Sequence, residues 1–207
     1  MAALNIPTPH GPAKAELHCC PQGIAALLLG HGAGGTTNTP DLVATTRAAT
    51  ASGVHVALIT QPYRVAGRRA PPPARQLDEA WLAVVRCLAQ GVFAELPLVF
   101  GGRSAGARVA CRTAAAGGAV AVLCLAFPLH PPGRPERSRG GELDALDVPV
   151  LIVQGDRDAF GCPEPAAGRE VVVVAGDHSL RSHPEAIARV VAEWLQRRLR
   201  PLSDPWC

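Results

Sequence analysis

The feature that most constrains the fold is an alternation of short apolar segments with segments of helical character. The apolar segments carry few charged residues and cover residues 24–30, 54–60, 97–102, 119–127, 148–155 and 170–175. Between or after them lie four stretches that we predict to be helical, at residues 40–52, 74–90, 105–116 and 184–199. Strands buried on both faces appear as continuous apolar runs. Their alternation with helices predicts an α/β fold, with a mostly parallel sheet covered by helices on both faces.

Two parts of the chain fit this alternation poorly. Residues 1–23 show little pattern, and we predict at most an edge strand at residues 13–20. The stretch of residues 128–146 is longer than an ordinary loop, so it is either functional or contains a short helix. Because no stretch between strands is long enough for a separate cap domain, we expect one domain over residues 1–207. It would comprise an N-terminal edge segment (1–23), a core (24–200) and a tail (201–207).

Composition and charge argue against a nucleic-acid partner. The chain is 48% apolar and 18% charged, which is typical of a globular protein. Its net charge of +3 comes from 20 Lys and Arg against 17 Asp and Glu, and Lys14 is the single lysine. Two loops hold clusters of arginine, but they lack interleaved aromatic residues and match no nucleic-acid-binding signature. We therefore expect a small-molecule substrate and no nucleic acid, while the oligomeric state, monomer or dimer, stays open.

The cysteines and the hydropathy pattern indicate the cellular compartment of the protein. Seven cysteines form no C-x-x-C pair, and three of them lie in apolar segments, where a reduced cysteine behaves as a small hydrophobe. This favours a reducing cytoplasm over a disulfide framework or structural zinc. No apolar stretch reaches about 18 residues, and the N-terminus lacks the pattern of a signal peptide. We expect a cytoplasmic protein without a membrane contact.

A candidate nucleophile follows the third apolar segment directly. The segment Gly102-Arg103-Ser104-Ala105-Gly106 fits G-x-S-x-G and opens a predicted helix. In that motif a serine on a tight strand-to-helix turn exposes its hydroxyl, and small neighbours permit the strained backbone. A serine hydroxyl needs a base to accept its proton and a carboxylate to orient the base. We therefore expect Ser104 to be followed by an acid and a histidine at later strand ends.

Both residue types appear after the fifth and sixth apolar segments. Asp156 and Asp158 leave the fifth segment, and spacing alone does not choose between them. His178 and His183 follow the sixth. Because His183 immediately precedes Pro184, it is better explained as the N-terminal flank of the last helix. His178, next to a loop that begins with Gly, is the candidate base, and the chain order of serine, acid and histidine matches the order that the G-x-S-x-G motif requires.

A glycine-rich turn, residues 30–35, closes the first apolar segment and could supply an oxyanion hole. Such a turn presents backbone N–H groups, and an N–H near Ala33 could act together with that of Ala105. The turn lacks the G-K-[ST] of a phosphate-binding loop, and a dinucleotide site would leave the later serine, acid and histidine unexplained. No H-x-x-x-H pair occurs either, and we expect no cofactor and no metal.

Five segments in order, HGAGG, GGRSAGAR, FPLHPPGRPE, PVLIVQGDRDAFG and GDHS, resemble the dienelactone-hydrolase-like group of the α/β-hydrolase superfamily. They are most similar to the branch that contains the testis-expressed protein thirty and the third regulatory subunit of the NSL histone acetyltransferase complex. The resemblance covers roughly residues 24–200. It implies the α/β-hydrolase fold, Asp158 as the acid of the triad, and Ala33 and Ala105 as oxyanion donors.

Three further residues are candidate substrate contacts, and the resemblance bears on the first of them. Arg103 beside the nucleophile is similar to its counterpart in this branch, and with Arg64 it would favour an anionic substrate. His130, at the end of the fourth apolar segment, would either pack or contact substrate. Dienelactone hydrolases proper use a cysteine nucleophile where this chain has Ser104, so their substrate is not carried over.

Taken together, these motifs predict a serine hydrolase that cleaves a small acyl ester or thioester through an acyl-enzyme. The alternative is a non-catalytic interaction module on the same scaffold, since animal members of the branch are subunits of complexes. The geometry between Ser104 and His178 separates the two, because a hydroxyl that faces away from the ring would favour the module.

Overall fold

The structure, a computed structural model, describes residues 2–199. Eight strands form one sheet in the order β1-β2-β4-β3-β5-β6-β7-β8. They are β1 (Ala2–Ile6), β2 (Ala13–His18), β3 (Ala25–Gly30), β4 (Val54–Thr60), β5 (Leu98–Arg103), β6 (Ala119–Leu125), β7 (Val150–Gly155) and β8 (Arg169–Val174). The α-helices are α1 (Pro40–Ala51), α2 (Pro62–Val65), α3 (Ala74–Ala89), α4 (Ala105–Gly117), α5 (Gly140–Asp144) and α6 (Pro184–Leu199).

The sheet is mostly parallel, as the apolar strands predict. β2 pairs antiparallel with β1 and β4, and every pair from β4 to β8 is parallel. Parallel strands place their carboxyl ends at one edge, where function is expected in such sheets. The loops after β3, β5, β7 and β8 therefore meet at that edge.

Helices cover both faces of the sheet, and each face has its own apolar core. α3 and α4 pack on one face and α1 and α6 on the other. Within β3, Leu28 faces the first core, whereas Leu27 and Leu29 face the second. Trp81 on α3 and Trp194 on α6 are fully buried, one on each side. Burial on both sides explains why β3 is apolar throughout its length.

The predicted α/β-hydrolase fold without a large cap domain is confirmed. The irregular stretch between β6 and β7 holds a 3₁₀ turn at Pro135–Arg137 and the short helix α5, so the expected short helix is present there. Of residues 2–199, no helix has the length and apolar character needed to cross a bilayer. The predicted tail at residues 201–207 lies outside the described residues.

The N-terminal prediction was wrong in one respect. β2 occupies most of the predicted edge strand, but it lies inside the sheet, between β1 and β4. The true edge is β1, whose residues are exposed except for Ile6. A strand with one neighbour and four exposed residues carries no alternating apolar pattern, which is why the sequence did not reveal it.

Candidate active site

Ser104 lies on the sharp turn between β5 and α4. Its backbone has φ 52° and ψ −111°, a left-handed conformation that costs a non-glycine residue about 1–3 kcal/mol. The N–H of Ser104 donates to the carbonyl of Leu125 on β6 at 2.9 Å, which anchors the turn to the neighbouring strand. The strained turn holds the Ser104 side chain at the carboxyl edge of the sheet, where it is partly exposed.

The turn requires glycine on both sides of Ser104. A Cβ at Gly102 would lie 2.6 Å from the carbonyl carbon of Gly106, and one at Gly106 would lie 2.5 Å from the carbonyl oxygen of Gly30. Both contacts are with backbone atoms, which cannot move aside without shifting a strand or helix. The close approach of α4 to the end of β3 therefore explains the glycines of the G-x-S-x-G motif.

Replacing Gly106 with Ala is expected to lower the free energy of unfolding by about 3 kcal/mol, because the added methyl collides with the backbone of β3. Chemical denaturation of the wild type and the variant would measure this difference in the free energy of unfolding. The control is Gly34→Ala, since a Cβ at Gly34 meets no heavy atom within 4 Å. A similar loss in the two variants would contradict the packing argument.

Ser104, His178 and Asp158 form a continuous hydrogen-bonded chain. His178 Nε2 lies 2.8 Å from Ser104 Oγ, and His178 Nδ1 lies 2.8 Å from Asp158 Oδ2. An ionised carboxylate only accepts, so Nδ1 carries the proton in the neutral ring and Nε2 is free to accept from the serine hydroxyl. That tautomer is the one a general base for Ser104 requires.

The Asp158 carboxylate is held from three sides. Its side chain is fully buried. Besides His178, Gln154 Nε2 donates to Oδ2 at 2.7 Å and the N–H of Phe160 donates to Oδ1 at 2.9 Å. Gln154 Nε2 also lies 2.8 Å from the Gly161 carbonyl and 3.2 Å from the Phe127 carbonyl, so its two N–H groups are shared among three acceptors and tie the acid loop to the segment after β6.

The structure distinguishes Asp158 from Asp156 and His178 from His183 by their contacts. Asp156, the other acid after β7, accepts the N–H of Gly176 at 2.7 Å and so supports the turn after β8. His183 lies at the start of α6, where its carbonyl accepts N–H groups of the first turn. Asp158 and His178 are therefore the pair that meets Ser104.

A stacked ring and a salt bridge position the His178 loop. The ring of Phe160 lies 4.2 Å from that of His178, centroid to centroid. Arg103 Nη2 donates to the His178 carbonyl at 3.0 Å, and Arg103 Nε lies 3.1 Å from the Oδ2 atom of Asp41 on α1. The Asp41 side chain is fully buried, and burial raises the pKa of its carboxyl against the opposing effect of Arg103.

The Arg103 guanidinium is engaged with Asp41 and the His178 backbone, and its expected contact with substrate stays a prediction. The His130 ring packs against Gly161, and the backbone N–H of His130 donates to the Phe160 carbonyl at 3.0 Å. A contact of His130 with substrate stays a prediction. Arg64, on α2, donates to the carbonyl of Arg68 at 3.1 Å. Its expected contact with substrate stays a prediction.

The glycine-rich turn after β3 is fixed by hydrogen bonds to its carbonyls. His31 Nδ1 donates to the Gly32 carbonyl at 2.8 Å, and the Tyr63 hydroxyl donates to the Ala33 carbonyl at 2.6 Å. Gly32 C=O and Ala33 N–H belong to one planar peptide unit, so holding the oxygen also orients the Ala33 N–H. The N–H of Ala105, at the first position of α4, has no partner within the helix.

The tautomer of His31 is set by a second bond. The N–H of Gln61 donates to His31 Nε2 at 3.1 Å, which leaves the proton on Nδ1 and the ring neutral. Burial lowers the pKa of His31, and the nearby Arg64 charge acts in the same direction. Protonation of Nε2 would oppose the N–H of Gln61 and disturb the turn.

His31 is expected to make stability fall at mildly acidic pH. Because its pKa is lower in the folded than in the unfolded protein, its contribution is complete above about pH 6.5 and is lost as pH falls through the folded-state pKa. The slope from one such group is at most about 1.4 kcal/mol per pH unit. Denaturation curves recorded at several pH values between 7 and 5 give the free energy of unfolding at each pH. Its decrease with falling pH should be shallower in His31→Gln than in the wild type and unchanged in His183→Gln. Equal slopes in wild type and His31→Gln would contradict this role.

Sequence reasoning missed Gln154, Tyr63 and Phe160. Gln154 carried a usable signal, because it is a polar residue next to the end of an otherwise apolar strand and is fully buried. Tyr63 and Phe160 act through contacts with distant segments, and no local pattern marks them.

Comparison with known proteins places this chain in a family. Residues 23–194 match a family model described as an alpha/beta hydrolase domain. No curated protein matches the chain. Similar solved structures include a serine hydrolase without lid from Xanthomonas campestris, with a TM-score of 0.78 and 19% identity over 97% of this chain and 95% of that one.

Two further structures share the fold. Est1E from Butyrivibrio proteoclasticus has a TM-score of 0.77 and 19% identity over 96% of this chain and 99% of that one. Dienelactone hydrolase from Anabaena variabilis has a TM-score of 0.75 and 18% identity over 96% and 98%. With a family model that spans most of its length and this fold, the chain belongs to the alpha/beta hydrolase domain family.

Proposed function

We propose that this protein is a serine hydrolase that cleaves a small carboxylic ester or thioester through an acyl-enzyme. The observation that carries the proposal is the chain of two 2.8 Å contacts from Ser104 through His178 to Asp158. All three residues lie in loops at the carboxyl ends of β5, β8 and β7. Their order along the chain is that of the α/β-hydrolases.

In the proposed acylation step, Ser104 Oγ attacks the substrate carbonyl and its proton passes to His178 Nε2. The bond to the leaving group breaks as His178 returns that proton to the leaving oxygen or sulfur. Deacylation repeats the sequence with a water molecule as the nucleophile. Asp158 holds the ring and stabilises its protonated form, and its buried position keeps this interaction away from solvent.

The negative charge of the tetrahedral intermediate would be held by the N–H groups of Ala33 and Ala105. The Ala33 peptide is oriented by His31, and the Ala105 N–H adds the positive end of the α4 dipole. Donors that are fixed before reaction lower the barrier because they need no reorganisation. Removal of one such donor typically costs about 10²- to 10³-fold in kcat.

The same geometry favours the hydrolase over a non-catalytic interaction module. A hydroxyl turned away from the imidazole would be expected of a retired site, whereas the Ser104 hydroxyl lies within hydrogen-bond distance of His178. The strained backbone of Ser104 also has a cost that packing alone does not require.

Two finer assignments accompany this proposal. The segment Pro128-Leu129-His130-Pro131-Pro132-Gly133 supports membership in the branch of the testis-expressed protein thirty. The six cysteines within residues 2–199 are free thiols, which supports a cytoplasmic location, where thiols stay reduced.

The test is turnover of p-nitrophenyl acetate and of a matched thioacetate ester by the purified protein. We expect turnover, and acid-quenched samples should carry one acetyl group on the peptide that contains Ser104. The peptide that contains Ser179 should remain unmodified. Absence of turnover above that of the heat-unfolded protein, or turnover with the acetyl group on another residue, would contradict the proposal.

A further inference from the structure

The Arg103 guanidinium contacts three other segments at once. Arg103 is the last residue of β5 and directly precedes Ser104. Its Nη2 donates to the His178 carbonyl at 3.0 Å, and its Nε lies 3.1 Å from Asp41 Oδ2. The third nitrogen, Nη1, lies against the glycine-rich turn, since a Cβ at Gly32 would be only 2.8 Å from it. One planar group therefore joins the His178 loop, the glycine-rich turn and the start of α1.

The acidic partner in this arrangement has no access to a substrate. The Asp41 side chain is fully buried, and it lies in the first turn of α1, where the helix N-terminus favours a negative charge. Among residues 2–199, Arg103 is the one basic side chain within 4 Å of the Asp41 carboxylate. An effect of Asp41 on a reaction at Ser104 must therefore pass through Arg103 or through the stability of the fold.

Stability alone is a weak explanation for a buried ion pair. The cost of removing two charges from water offsets much of their attraction, so replacing such a pair with apolar side chains is often neutral or stabilising. Removing one partner is destabilising, because the other charge stays buried and unpaired. What the Asp41–Arg103 pair provides, and an apolar pair would not, is a rigid planar donor aimed in fixed directions.

Gly32 belongs to the same arrangement. Its φ is not positive, so the backbone conformation does not require a glycine there. A side chain at this position would meet the Arg103 guanidinium, which Asp41 and the His178 carbonyl hold in place. The Gly32 carbonyl shares a planar peptide unit with the N–H of Ala33. The guanidinium therefore packs against the residue that carries half of the peptide of a proposed oxyanion donor.

We propose that Asp41 and Arg103 form a positioning pair, in which Asp41 fixes the guanidinium and the guanidinium sets the His178 loop and the glycine-rich turn relative to Ser104. This assignment rests on the proposed hydrolase function, since it concerns how the base and the oxyanion donors are aligned with the nucleophile. A misplacement of about 1 Å between reacting groups lowers a rate by about 10²-fold. The pair therefore raises kcat without any contact between Asp41 and the substrate.

A direct contact of Arg103 with an anionic substrate makes a different prediction. Loss of such a contact would raise KM for an ester that carries a carboxylate and would change the kinetics of a neutral ester little. A positioning role instead lowers kcat for neutral and anionic esters alike, with little change in KM. It also makes the buried Asp41 as important for kcat as Arg103 itself.

The experiment measures kcat and KM for p-nitrophenyl acetate and for the same ester with one carboxylate added to the nitrophenyl ring. For Asp41→Ala we expect kcat to fall by about 10- to 100-fold on both esters and KM to change by less than about threefold. Arg103→Met should have the same effect. The variant with both substitutions should lose no more activity than either single variant, because the two residues act as a unit.

Thermal unfolding separates this role from a purely structural one. Arg103→Met leaves the Asp41 charge buried and unpaired, so its unfolding temperature should fall. The variant with both substitutions holds no unpaired charge and should regain most of the wild-type unfolding temperature, but its kcat should stay low. If kcat recovers together with the unfolding temperature in that variant, the pair only stabilises the fold and the proposal is overturned.

The matched control is Asp78→Ala. Asp78 on α3 pairs with Arg112 on α4 through contacts of 2.6 and 2.8 Å, and both side chains are partly buried. This pair joins two elements of the fold, as the Asp41–Arg103 pair does, but it does not contact the His178 loop. Asp78→Ala should leave kcat and KM unchanged on both esters.

Wild-type kcat on both esters in folded Asp41→Ala would overturn the positioning role and leave the hydrolase proposal intact. A rise in KM confined to the anionic ester in Arg103→Met would overturn it as well and would assign Arg103 to substrate binding. Absence of turnover of both esters by the wild type would instead refute the proposed function and the positioning role with it.

Discussion

Replacing Ser104 with Ala is expected to lower kcat for p-nitrophenyl acetate by about 10⁴- to 10⁶-fold. The alanine methyl cannot attack the carbonyl, so no acyl-enzyme forms and only the binding and oxyanion contributions remain. KM should change little, because the Ala33 and Ala105 N–H groups are unaffected. Initial rates over a range of substrate concentrations separate the two constants.

The matched control for this prediction is Ser179→Ala. Ser179 follows His178 directly, but its hydroxyl bonds to the Asp177 carboxylate and not to the imidazole. The Ser179 variant should therefore retain most of the activity. If Ser104→Ala keeps wild-type turnover, or if the two serine variants lose activity equally, Ser104 is not the nucleophile.

Replacing Asp158 with Asn is expected to lower kcat by about 10⁴-fold. Asp158 accepts from three donors, which are His178 Nδ1, Gln154 Nε2 and the Phe160 N–H. An Asn has only one acceptor oxygen, so its NH₂ group must oppose at least one of these donors. The energetically accessible response is a change of the His178 tautomer, which would turn an N–H toward Ser104 and abolish its function as a base.

The control for Asp158 is the neighbouring acid. Asp156 accepts a single bond, from the Gly176 N–H, and an Asn at that position retains an acceptor oxygen. Asp156→Asn should therefore reduce kcat far less than Asp158→Asn. The reverse order of effects would show that the acid had been assigned to the wrong residue.

Sequence reasoning located strands β3 to β8, the four longer helices and the nucleophile turn because each has a local cause. The run at 24–30 is apolar since β3 is buried on both faces, and the glycines around Ser104 are required by the contact of α4 with Gly30. These constraints act on neighbouring residues, so a local pattern records them. The choice of His178 over His183 rested on a similar local signal, the proline at the start of α6.

The remaining features depend on contacts between distant segments. Asp156 and Asp158 leave the same strand, and only the path of the loop shows which carboxylate meets His178. Arg103 is paired with Asp41 on α1, and no local pattern connects the two.

The central claim is that Ser104 is a nucleophile activated by His178. The most direct measurement is covalent labelling with a fluorophosphonate probe, followed by mass spectrometry of the digested protein. We predict that the folded wild type is labelled on Ser104 alone, and that His178→Ala and the heat-unfolded protein are not labelled. An unlabelled wild-type protein, a label on another residue, or labelling that persists at the same rate in His178→Ala would contradict the account.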